Sequence, residues 1–387
     1  MVDWSAARFH GRHEYEQEED AIFRSRWMCT VKASELSERG SFRTVEVGGE
    51  SILLVRSKDG IAGYVNLCLH RGYPLCENAS GRFRGAITCG YHGWAYGFDG
   101  KLKGIPLRQD FEDVPQGSLH RVQTDEWLGY VWVNLDPHAR SLHAQIDPLL
   151  EARFGDLDLP ALYRPDQLEV AASREYVVEA NWKLIVENFC ECYHCPTMHP
   201  EICKALPEWR SGYGTVSGHE GRPNTDGSQL SPKATGFSLS GTAVAAPLPT
   251  VPDRYLRTFH GLLLWPNVHV MFLPDHVMCQ RFFPLSATRT KIVSDWLFHP
   301  EAIAAPGFDP SDAVGLVDTT ARQDFDACER VQRGVTSRFF SERHTPHEQL
   351  IAGFRAWIDA QLGASLDDSV EPGTSSADDL SDAHAAV

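Results

Sequence analysis

The chain is short of the features that mark membrane, secreted and nucleic-acid-binding proteins. No apolar run among its 387 residues approaches the roughly 18 needed to cross a bilayer. No positively charged start precedes an apolar stretch, as it would in a signal peptide. Basic residues are scarce, since 36 Lys and Arg face 52 Asp and Glu for a formal charge of −16. We therefore expect a cytoplasmic protein with no nucleic-acid or membrane partner.

A dinucleotide-binding glycine motif is also missing. The nearest match, residues 212–218, has one residue too many for Gly-x-Gly-x-x-Gly and falls in a predicted loop. NAD(P)H and flavin should therefore bind a separate protein. The chain has 10 Cys and no secretory signal, so we expect reduced thiols and metal ligands rather than disulfides.

Two mixed Cys/His pairs stand in the first quarter of the chain. Cys68 and His70 lie in CLHRG, Cys89 and His92 lie in CGYHGW, and 18 residues separate the pairs. A Rieske [2Fe–2S] centre needs this mixture, because two Cys bind one iron and two His bind the other. A Cys2His2 zinc site uses the same ligand types, but zinc fingers usually pair the two Cys and then the two His. The spacing favours the Rieske cluster.

A second set of metal-binding residues follows in NWKLIVENFCECYHCPTMHP. Glu191, His194 and His199 there have the spacing Glu-x2-His-x4-His. Two His on one short segment, with a carboxylate from elsewhere, form the facial triad of non-heme Fe(II) oxygenases. We expect Glu191 and His194 to share one face of a helix that opens near Asn181. Pro196 should bend or end this helix, so that His199 turns back to the same metal.

With these motifs the chain resembles a known family, the large (alpha) subunit of Rieske non-heme iron ring-hydroxylating oxygenases. The resemblance covers roughly residues 10–362 and includes RQDFDACERVQRG at 322–334. It implies that Asp324 joins the two His on a mononuclear Fe(2+). Asp318 and Asp326 are the local alternatives. Asp326 is two residues from Asp324 and would face away when Asp324 points inward.

The resemblance also implies partners. A flavin- or ferredoxin-type reductase supplies electrons one at a time, and O2 and a small organic molecule are the substrates. In the family, electrons cross from the cluster of one subunit to the iron of its neighbour in a head-to-tail homotrimer. An acidic residue bridges a cluster His to an iron His there, and Glu191 occupies its position. Many members have Asp there, which is one methylene shorter.

The sequence predicts an α+β protein in four parts. Residues 1–40 form an N-terminal helical segment that packs on the catalytic domain, and 41–150 form an all-β Rieske domain. Residues 151–362 form a catalytic domain in which helices carry the iron and a curved antiparallel sheet supports them. Residues 363–387 form a disordered acidic tail.

Periodicity places the elements within these parts. We expect helices over 14–27, 311–334 and 346–362 and a loop over the active site at 210–250. The predicted strands are Phe42–Val47, Ser51–Arg56, Trp127–Asn134, Leu168–Val178, Phe259–Trp265, His269–Leu273, Val277–Pro284 and Lys291–Phe298.

The string Glu-Cys-Tyr-His-Cys at 191–195 bears on the substrate. It resembles the subgroup that oxidises N-methyl groups of quaternary ammonium compounds such as glycine betaine, stachydrine and carnitine. Loss of formaldehyde after hydroxylation makes such reactions N-demethylations. A cation–π cage would suit such a substrate; the candidates, which can equally be ordinary packing residues, are Trp209, Tyr213, Trp265 and Phe272.

Two other functions compete. One is hydroxylation or dihydroxylation of an aromatic ring or aromatic acid, and Arg210 could hold a carboxylate under either oxygenase reading. The other is a non-catalytic Rieske electron carrier. About 230 residues beyond the Rieske part argue against a bare carrier.

Overall fold

A computed structural model describes residues 4–112, 116–212 and 224–367. The chain divides into two compact units. One is Glu19–Leu142, and the other combines Met1–Glu18 with His143–Val387. The predicted α+β class is confirmed, since the first unit is mainly strands and the second joins a sheet to helices. Among the described residues, no helix is both long and apolar enough to cross a membrane.

The Glu19–Leu142 unit is built from two antiparallel sheets. The larger has seven strands in the order β1-β10-β9-β4-β3-β2-β5, and the smaller has the order β6-β7-β8. The strands are β1 Met28–Lys32, β2 Ser41–Val47, β3 Glu50–Arg56, β4 Ile61–Val65, β5 Ser80–Arg82, β6 Ile87–Thr88, β7 Ala95–Tyr96, β8 Leu102–Gly104, β9 Arg121–Trp127 and β10 Tyr130–Asn134.

Two-residue turns set the register of this unit. Val47 pairs with Glu50, so Gly48 and Gly49, both with positive φ, form the predicted β2–β3 turn. The expectation of one strand over Trp127–Asn134 is wrong. Leu128 and Gly129 also have positive φ and turn the chain there, so the segment belongs to two paired strands, β9 and β10.

The second unit contains a six-stranded antiparallel sheet in the order β11-β16-β15-β14-β13-β12. Its neighbouring strands β13 and β14 are buried along their whole length, which means that both faces of the sheet are covered there. The strands are β11 Glu169–Val178, β12 Ser228–Gln229, β13 Thr258–Leu264, β14 Val268–Phe272, β15 Val277–Ser286 and β16 Arg289–Phe298.

Helices in the same unit cover the sheet and carry the chemistry. The longest, α8, packs against α4. They are α1 Arg12–Glu18, α2 Leu142–Phe154, α3 Leu159–Tyr163, α4 Trp182–Phe189, α5 Cys195–Met198, α6 Pro200–Ala205, α7 Pro300–Ile303, α8 Ser311–Val335 and α9 Gln349–Asp367.

The limits of the units differ from the predicted domain boundaries. Residues 4–18 lie with the second unit, where buried Glu18 accepts hydrogen bonds from Trp182 and Lys183. Residues 19–40 lie instead with the first unit, because β1 is a fully buried strand paired with β10. The helix predicted over 14–27 therefore stops at Phe23, its last turn being π-helical. At the other end, α9 continues to Asp367, past the predicted limit of 362.

Candidate metal centres and active-site cavity

Two loops of the same design carry the first metal-binding motif. In one, the Cys68 N–H donates to the Tyr73 carbonyl and the Gly72 N–H donates to the Cys68 carbonyl. The second loop, between β6 and β7, repeats both bonds from Cys89 and Gly93. Gly72 and Gly93 have φ of 67° and 71°, a conformation that costs glycine little. Backbone bonds within each loop thus fix the two Cys.

The four side chains from these loops converge. Cys68 and Cys89 are buried, with 3% and 2% exposure, and their thiols lie within hydrogen-bonding reach of each other. The rings of His70 and His92 have centroids 4.6 Å apart. His70 also stacks on Trp94 at 4.9 Å. The structure therefore places two thiols on the inside and two imidazoles next to each other further out, the donor set of a Rieske cluster.

Polar atoms at this site point to a bound group. Nδ1 of His70 is buried and finds no hydrogen-bond partner among the described residues, although buried polar atoms are normally paired. Burial raises the pKa of Cys89, while the backbone N–H groups of Tyr91 and His92 lower it by facing the sulfur. The Tyr96 hydroxyl lies 3.1 Å from Cys68 Sγ. Sequence analysis missed Tyr96, which lies outside both motifs.

The second motif folds differently from the prediction. Helix α4 does begin after Asn181, whose side chain accepts a hydrogen bond from the Lys183 N–H. It ends at Phe189, so Glu191 and His194 stand in a turn and not on the helix. The expectation for Pro196 is wrong as well. Pro196 lies in the first turn of α5, a position where its missing N–H costs nothing.

This broken helix still brings the three predicted iron ligands together. Asp324 on α8 accepts hydrogen bonds from Nε2 of His199 at 2.8 Å and from Nε2 of His194 at 3.3 Å. One ligand atom from each of the three residues lies within 4.8 Å of the others. His199 and Asp324 are buried and His194 is half-buried. Two imidazole nitrogens and a carboxylate oxygen in this arrangement fit a mononuclear iron.

The outer nitrogens of the two His have partners of their own. Nδ1 of His194 donates to the Glu191 carboxylate, and Nδ1 of His199 donates to the Gln323 amide oxygen at 2.7 Å. Such bonds hold each ring in place and direct its Nε2 towards Asp324, where a metal would bind. Gln323 was missed by sequence analysis, although it directly precedes Asp324.

Electrostatics make the triad a site for a cation. Burial lowers the pKa of His194, but hydrogen bonds that its ring makes to Asp324, Cys195 and Glu191 outweigh burial and raise that pKa to about 12. Burial raises the pKa of Asp324, yet the two His outweigh it and the net pKa is lowered. Positive charge is therefore favoured at this point, and a divalent metal can take the place of the protons.

The alternative carboxylates have other partners. Asp318 accepts hydrogen bonds from the Tyr176 hydroxyl at 2.5 Å and from Arg322 at 2.9 Å. Asp326 is exposed and pairs with Arg330 at 2.6 Å. Asp324 is thus the carboxylate of α8 that meets both His.

The triad opens on a cavity in the second unit. Its walls come from α4, the turn after it, α6, the sheet and α8, and they are mostly apolar. The lining residues are Asn188, Phe189, Glu191, Cys192, His194, Cys195, His199, Ile202, Trp209, His269, Met271, Gln280, Val317, Thr320, Ala321 and Asp324.

The four predicted pocket aromatics are divided by the structure. Trp209 lines the cavity. Trp265 packs on Phe354 at 5.1 Å, and Phe272 packs on Tyr163 at 5.2 Å, so both belong to the surrounding core and not to the described lining. Tyr213 lies outside the described residues.

The predicted loop at 210–250 also has a mixed outcome. Residues 213–223 of it lie outside the described part, and 228–229 form β12. Arg210, the proposed holder of a carboxylate, is exposed and lies away from the described lining of the cavity.

A neutral imidazole forms part of the cavity wall. His269 is buried on β14, and its Nδ1 lies 3.4 Å from Gln280 Oε1. The amide nitrogen of Gln280 donates a hydrogen bond to the Ser294 hydroxyl. Burial lowers the pKa of His269 to about 4. The ring therefore offers polarity without charge at neutral pH.

Comparison with known proteins agrees with these two sites. Residues 26–121 match the family "Rieske [2Fe-2S] domain", and residues 165–364 match "Ring hydroxylating alpha subunit (catalytic domain)". The chain is 30% identical over 345 residues to the carnitine monooxygenase oxygenase subunit of Escherichia coli, covering 86% of this chain and 84% of that one. It is 29% identical over 349 residues to the glycine betaine monooxygenase oxygenase subunit of Chromohalobacter salexigens, covering 82% and 75%.

A solved structure gives the same result. The crystal structure of a quaternary ammonium Rieske monooxygenase in complex with gamma-butyrobetaine superposes with a TM-score of 0.68 at 25% identity, over 93% of this chain and 95% of that one. The predicted family, [2Fe–2S] cluster and mononuclear iron are thereby confirmed. The chain belongs to the ring-hydroxylating alpha subunits of the Rieske non-heme iron oxygenases.

Proposed function

We propose that the protein is the oxygenase component that N-demethylates a quaternary ammonium compound, with electrons from a separate reductase. The proposed cluster ligands are Cys68, His70, Cys89 and His92, and the proposed iron ligands are His194, His199 and Asp324. The observation that carries the proposal is the convergence of the iron triad on a largely apolar cavity with an aromatic wall.

The wall of the cavity suits a methylated cation. Trp209 and Phe189 both line it, and the indole N–H of Trp209 donates to Ser228 at 3.1 Å, which fixes the ring. A quaternary ammonium cannot donate hydrogen bonds, so aromatic faces and nearby carboxylates are its natural partners. Two relatives with most of their length in common are named for carnitine and glycine betaine.

The reaction can be written so that it balances. One oxygen atom of O2 enters an N-methyl group, and two electrons and two protons reduce the other atom to water. The N-hydroxymethyl product then loses formaldehyde and leaves the demethylated amine. When bound, the cluster supplies electrons singly and the mononuclear iron supplies the centre at which O2 is activated. The chain's own part is to hold the N-methyl group in a dry cavity beside His199 and Asp324.

Glu191 is proposed to connect two subunits of a homotrimer. Its carboxylate accepts from Nδ1 of His194 and from the His194 backbone N–H at 3.2 Å. A carboxylate has about four acceptor positions, so a hydrogen bond from a cluster imidazole of a neighbouring copy can be added. The half-buried side chain is accessible enough for such a contact.

A substrate screen tests the function directly. The holoenzyme is supplied with NADH and a surrogate ferredoxin-type reductase, and O2 uptake and formaldehyde are measured for glycine betaine, carnitine, choline and benzoate. N-demethylation predicts one formaldehyde per O2 with an N-methyl substrate. A hydroxylated ring without formaldehyde would instead establish the aromatic reaction. If the reductase reduces the cluster but no O2 is consumed with any of the substrates, both oxygenase functions are contradicted and an electron carrier is favoured.

A further inference from the structure

Arg153, near the end of α2, is a buried guanidinium without an acidic partner among the described residues. It is 9% exposed. Its Nη2 reaches the Gly261 carbonyl at a long 3.5 Å, and its Nε is buried with no hydrogen-bond partner in the described part of the chain. A buried charge is costly unless it is paired and hydrogen-bonded. The guanidinium carbon lies 5.5 Å from the centroid of the Phe154 ring, but no carboxylate among the described residues neutralises the charge.

Other buried cations of the same unit behave differently. Lys183 pairs with Glu18 at 2.5 Å. Arg281 pairs with Asp295 at 2.5 Å and Arg355 pairs with Glu187 at 2.7 Å. Each of these three charges has a carboxylate at contact distance. The contrast indicates that the anion for Arg153 comes from outside the described chain.

Arg153 is not one of the described lining residues of the active-site cavity, but its guanidinium lies behind His269, which is one of them. Gly261, which accepts its hydrogen bond, is so near His269 that a Cβ at 261 would be 4.0 Å from His269 Nε2. After burial, the positive charge of Arg153 is a further cause that lowers the pKa of His269. His269 itself lines the cavity. Burial lowers the pKa of Arg153 to about 10, so the group stays charged at neutral pH.

We propose that Arg153 binds the carboxylate of a substrate that extends from the cavity past His269. A guanidinium presents paired N–H donors that match a carboxylate, and Nε–H is free to be one of them. The same positive charge repels an ammonium group and so favours a position for it away from His269. Together with the proposed function, on which this step rests, the substrate is a zwitterion with both a quaternary ammonium and a carboxylate.

Binding measurements on the holoenzyme test this assignment. Isothermal titration calorimetry compares glycine betaine, which has a carboxylate, with choline, which has a hydroxyl in its place. We expect wild type to prefer glycine betaine at least 10-fold, as loss of a charged hydrogen-bonded partner would suggest. Arg153→Met should weaken glycine betaine at least 10-fold and leave choline unchanged or tighter. Equal weakening of both probes would overturn the assignment.

Arg257→Met is the matched control. Its guanidinium is partly buried but bonds to the carbonyls of Leu230, Ser231 and Ala234. Arg257 differs from Arg153 because its guanidinium already has acceptors within the protein. Its replacement should leave the ratio of the two affinities as in wild type. A change of that ratio as large as in Arg153→Met would contradict a specific role for Arg153.

Thermal unfolding separates binding from a purely structural role. An unpaired buried charge destabilises the ligand-free fold, so Arg153→Met should keep or raise Tm, and glycine betaine should raise Tm in wild type alone. A lowered Tm with an unchanged affinity ratio would mean that Arg153 only supports the fold. If Arg153→Met does not fold, Arg153→Lys serves instead. It keeps the charge but loses the paired donors, and should weaken glycine betaine more than choline.

Benzoate distinguishes the failure of this inference from the failure of the proposed function. Binding of benzoate that depends on Arg153, without binding of either ammonium probe, would support the carboxylate site and reject the N-methyl substrate. Wild type and Arg153→Met could instead release formaldehyde from glycine betaine with the same kcat and the same KM. That result would support N-demethylation and reject the role of Arg153.

Discussion

The two metal sites of this protein are constructed in opposite ways. The proposed cluster ligands come from two loops of an all-β unit, with both Cys buried while His92 is exposed. Neighbouring Tyr91 is 55% exposed. The proposed iron ligands come from the ends and faces of helices, and His199 and Asp324 are buried. Electrons must reach the cluster from another protein, so its imidazoles need access to the surface, whereas activation of O2 requires an enclosed site.

The two sites also differ in what holds them. Each cluster loop is closed by backbone hydrogen bonds within about five residues, such as that from Gly72 to Cys68. The iron site depends on contacts between distant parts of the chain. His199 meets Asp324 and Gln323, which lie 125 and 124 positions away. One site is thus local in sequence and the other exists only once α8 has packed against the segment after α4.

Removing a cluster thiolate is the strongest test of this contrast. Cys68→Ala should abolish the brown-red Rieske colour and the acid-labile sulfide, because alanine cannot donate a thiolate. Mononuclear iron should still bind, since its ligands belong to the other unit. Cys76→Ala, in the same region but outside the motif, is the control and should keep the full visible spectrum. Retention of the colour in Cys68→Ala would refute the ligand assignment.

The converse change should remove only the enclosed site. Asp324→Ala leaves the two iron-site His without their carboxylate, so we expect loss of the mononuclear iron and of turnover with an unchanged Rieske spectrum. Asp326→Ala lies two residues away on the same helix and should keep both iron content and activity. Metal analysis and visible spectra of the two variants make the comparison. Full activity of Asp324→Ala would show that another carboxylate binds the iron.

Glu191 probes whether the two sites work together across subunits. Glu191→Gln keeps the size and removes the charge, and should lower turnover by about 10-fold, as expected for a residue that supports a metal ligand. Metal content, the mass of the assembly in sedimentation and substrate affinity should change little. Single-turnover kinetics with a pre-reduced cluster should show slow reoxidation.

Exposed Glu208 provides the control for this experiment, and Glu208→Gln should reoxidise at the wild-type rate. Normal reoxidation in Glu191→Gln combined with altered substrate affinity would place Glu191 in the substrate cavity instead.

The smallest predicted effect concerns pH and the buried imidazoles of the catalytic unit. His260 is buried, with the Tyr163 hydroxyl 3.0 Å from its Nδ1, and burial lowers its pKa from 6.5 to about 4. Between these values the unfolded chain binds a proton that the folded chain does not. The free energy of unfolding should therefore fall as pH drops from about 6.5 towards 4, by ~1–2 kcal/mol at pH 5 for this residue.

His260→Gln should reduce that loss. Glutamine can keep a hydrogen bond to Tyr163 and does not titrate. Chemical denaturation of each protein at pH 7 and at pH 5 gives the free energy of unfolding that it loses between these pH values. This loss should be smaller in the variant than in wild type by the amount stated above. Identical pH dependence in both proteins would mean that His260 is not buried in its neutral form.

Local patterns in the sequence determined much of this protein. The mixed spacing of Cys68, His70, Cys89 and His92 predicted the cluster, since each half-site is a single loop. Alternation of apolar residues located the strands around Phe42 and across residues 258–298, because the period of a strand is a local property. Resemblance supplied Asp324. The predictions at Leu128 and Pro196 failed because each residue type occurs in two backbone settings. Leucine is common in strands, but Leu128 stands in a turn with positive φ. Proline can end a helix, but Pro196 stands in the first turn of one.

Only the tertiary structure decided what surrounds the iron. The cavity wall joins side chains from α4, β14, β15 and α8, so no spacing along the chain could separate Trp209, which lines it, from Trp265, which packs in the core. Gln323 and Tyr96 gain their roles from contacts with His199 and Cys68. Arg153 does not belong to any of the sequence motifs described above. It stands out only after folding, because burial without a carboxylate is a property of packing and not of sequence.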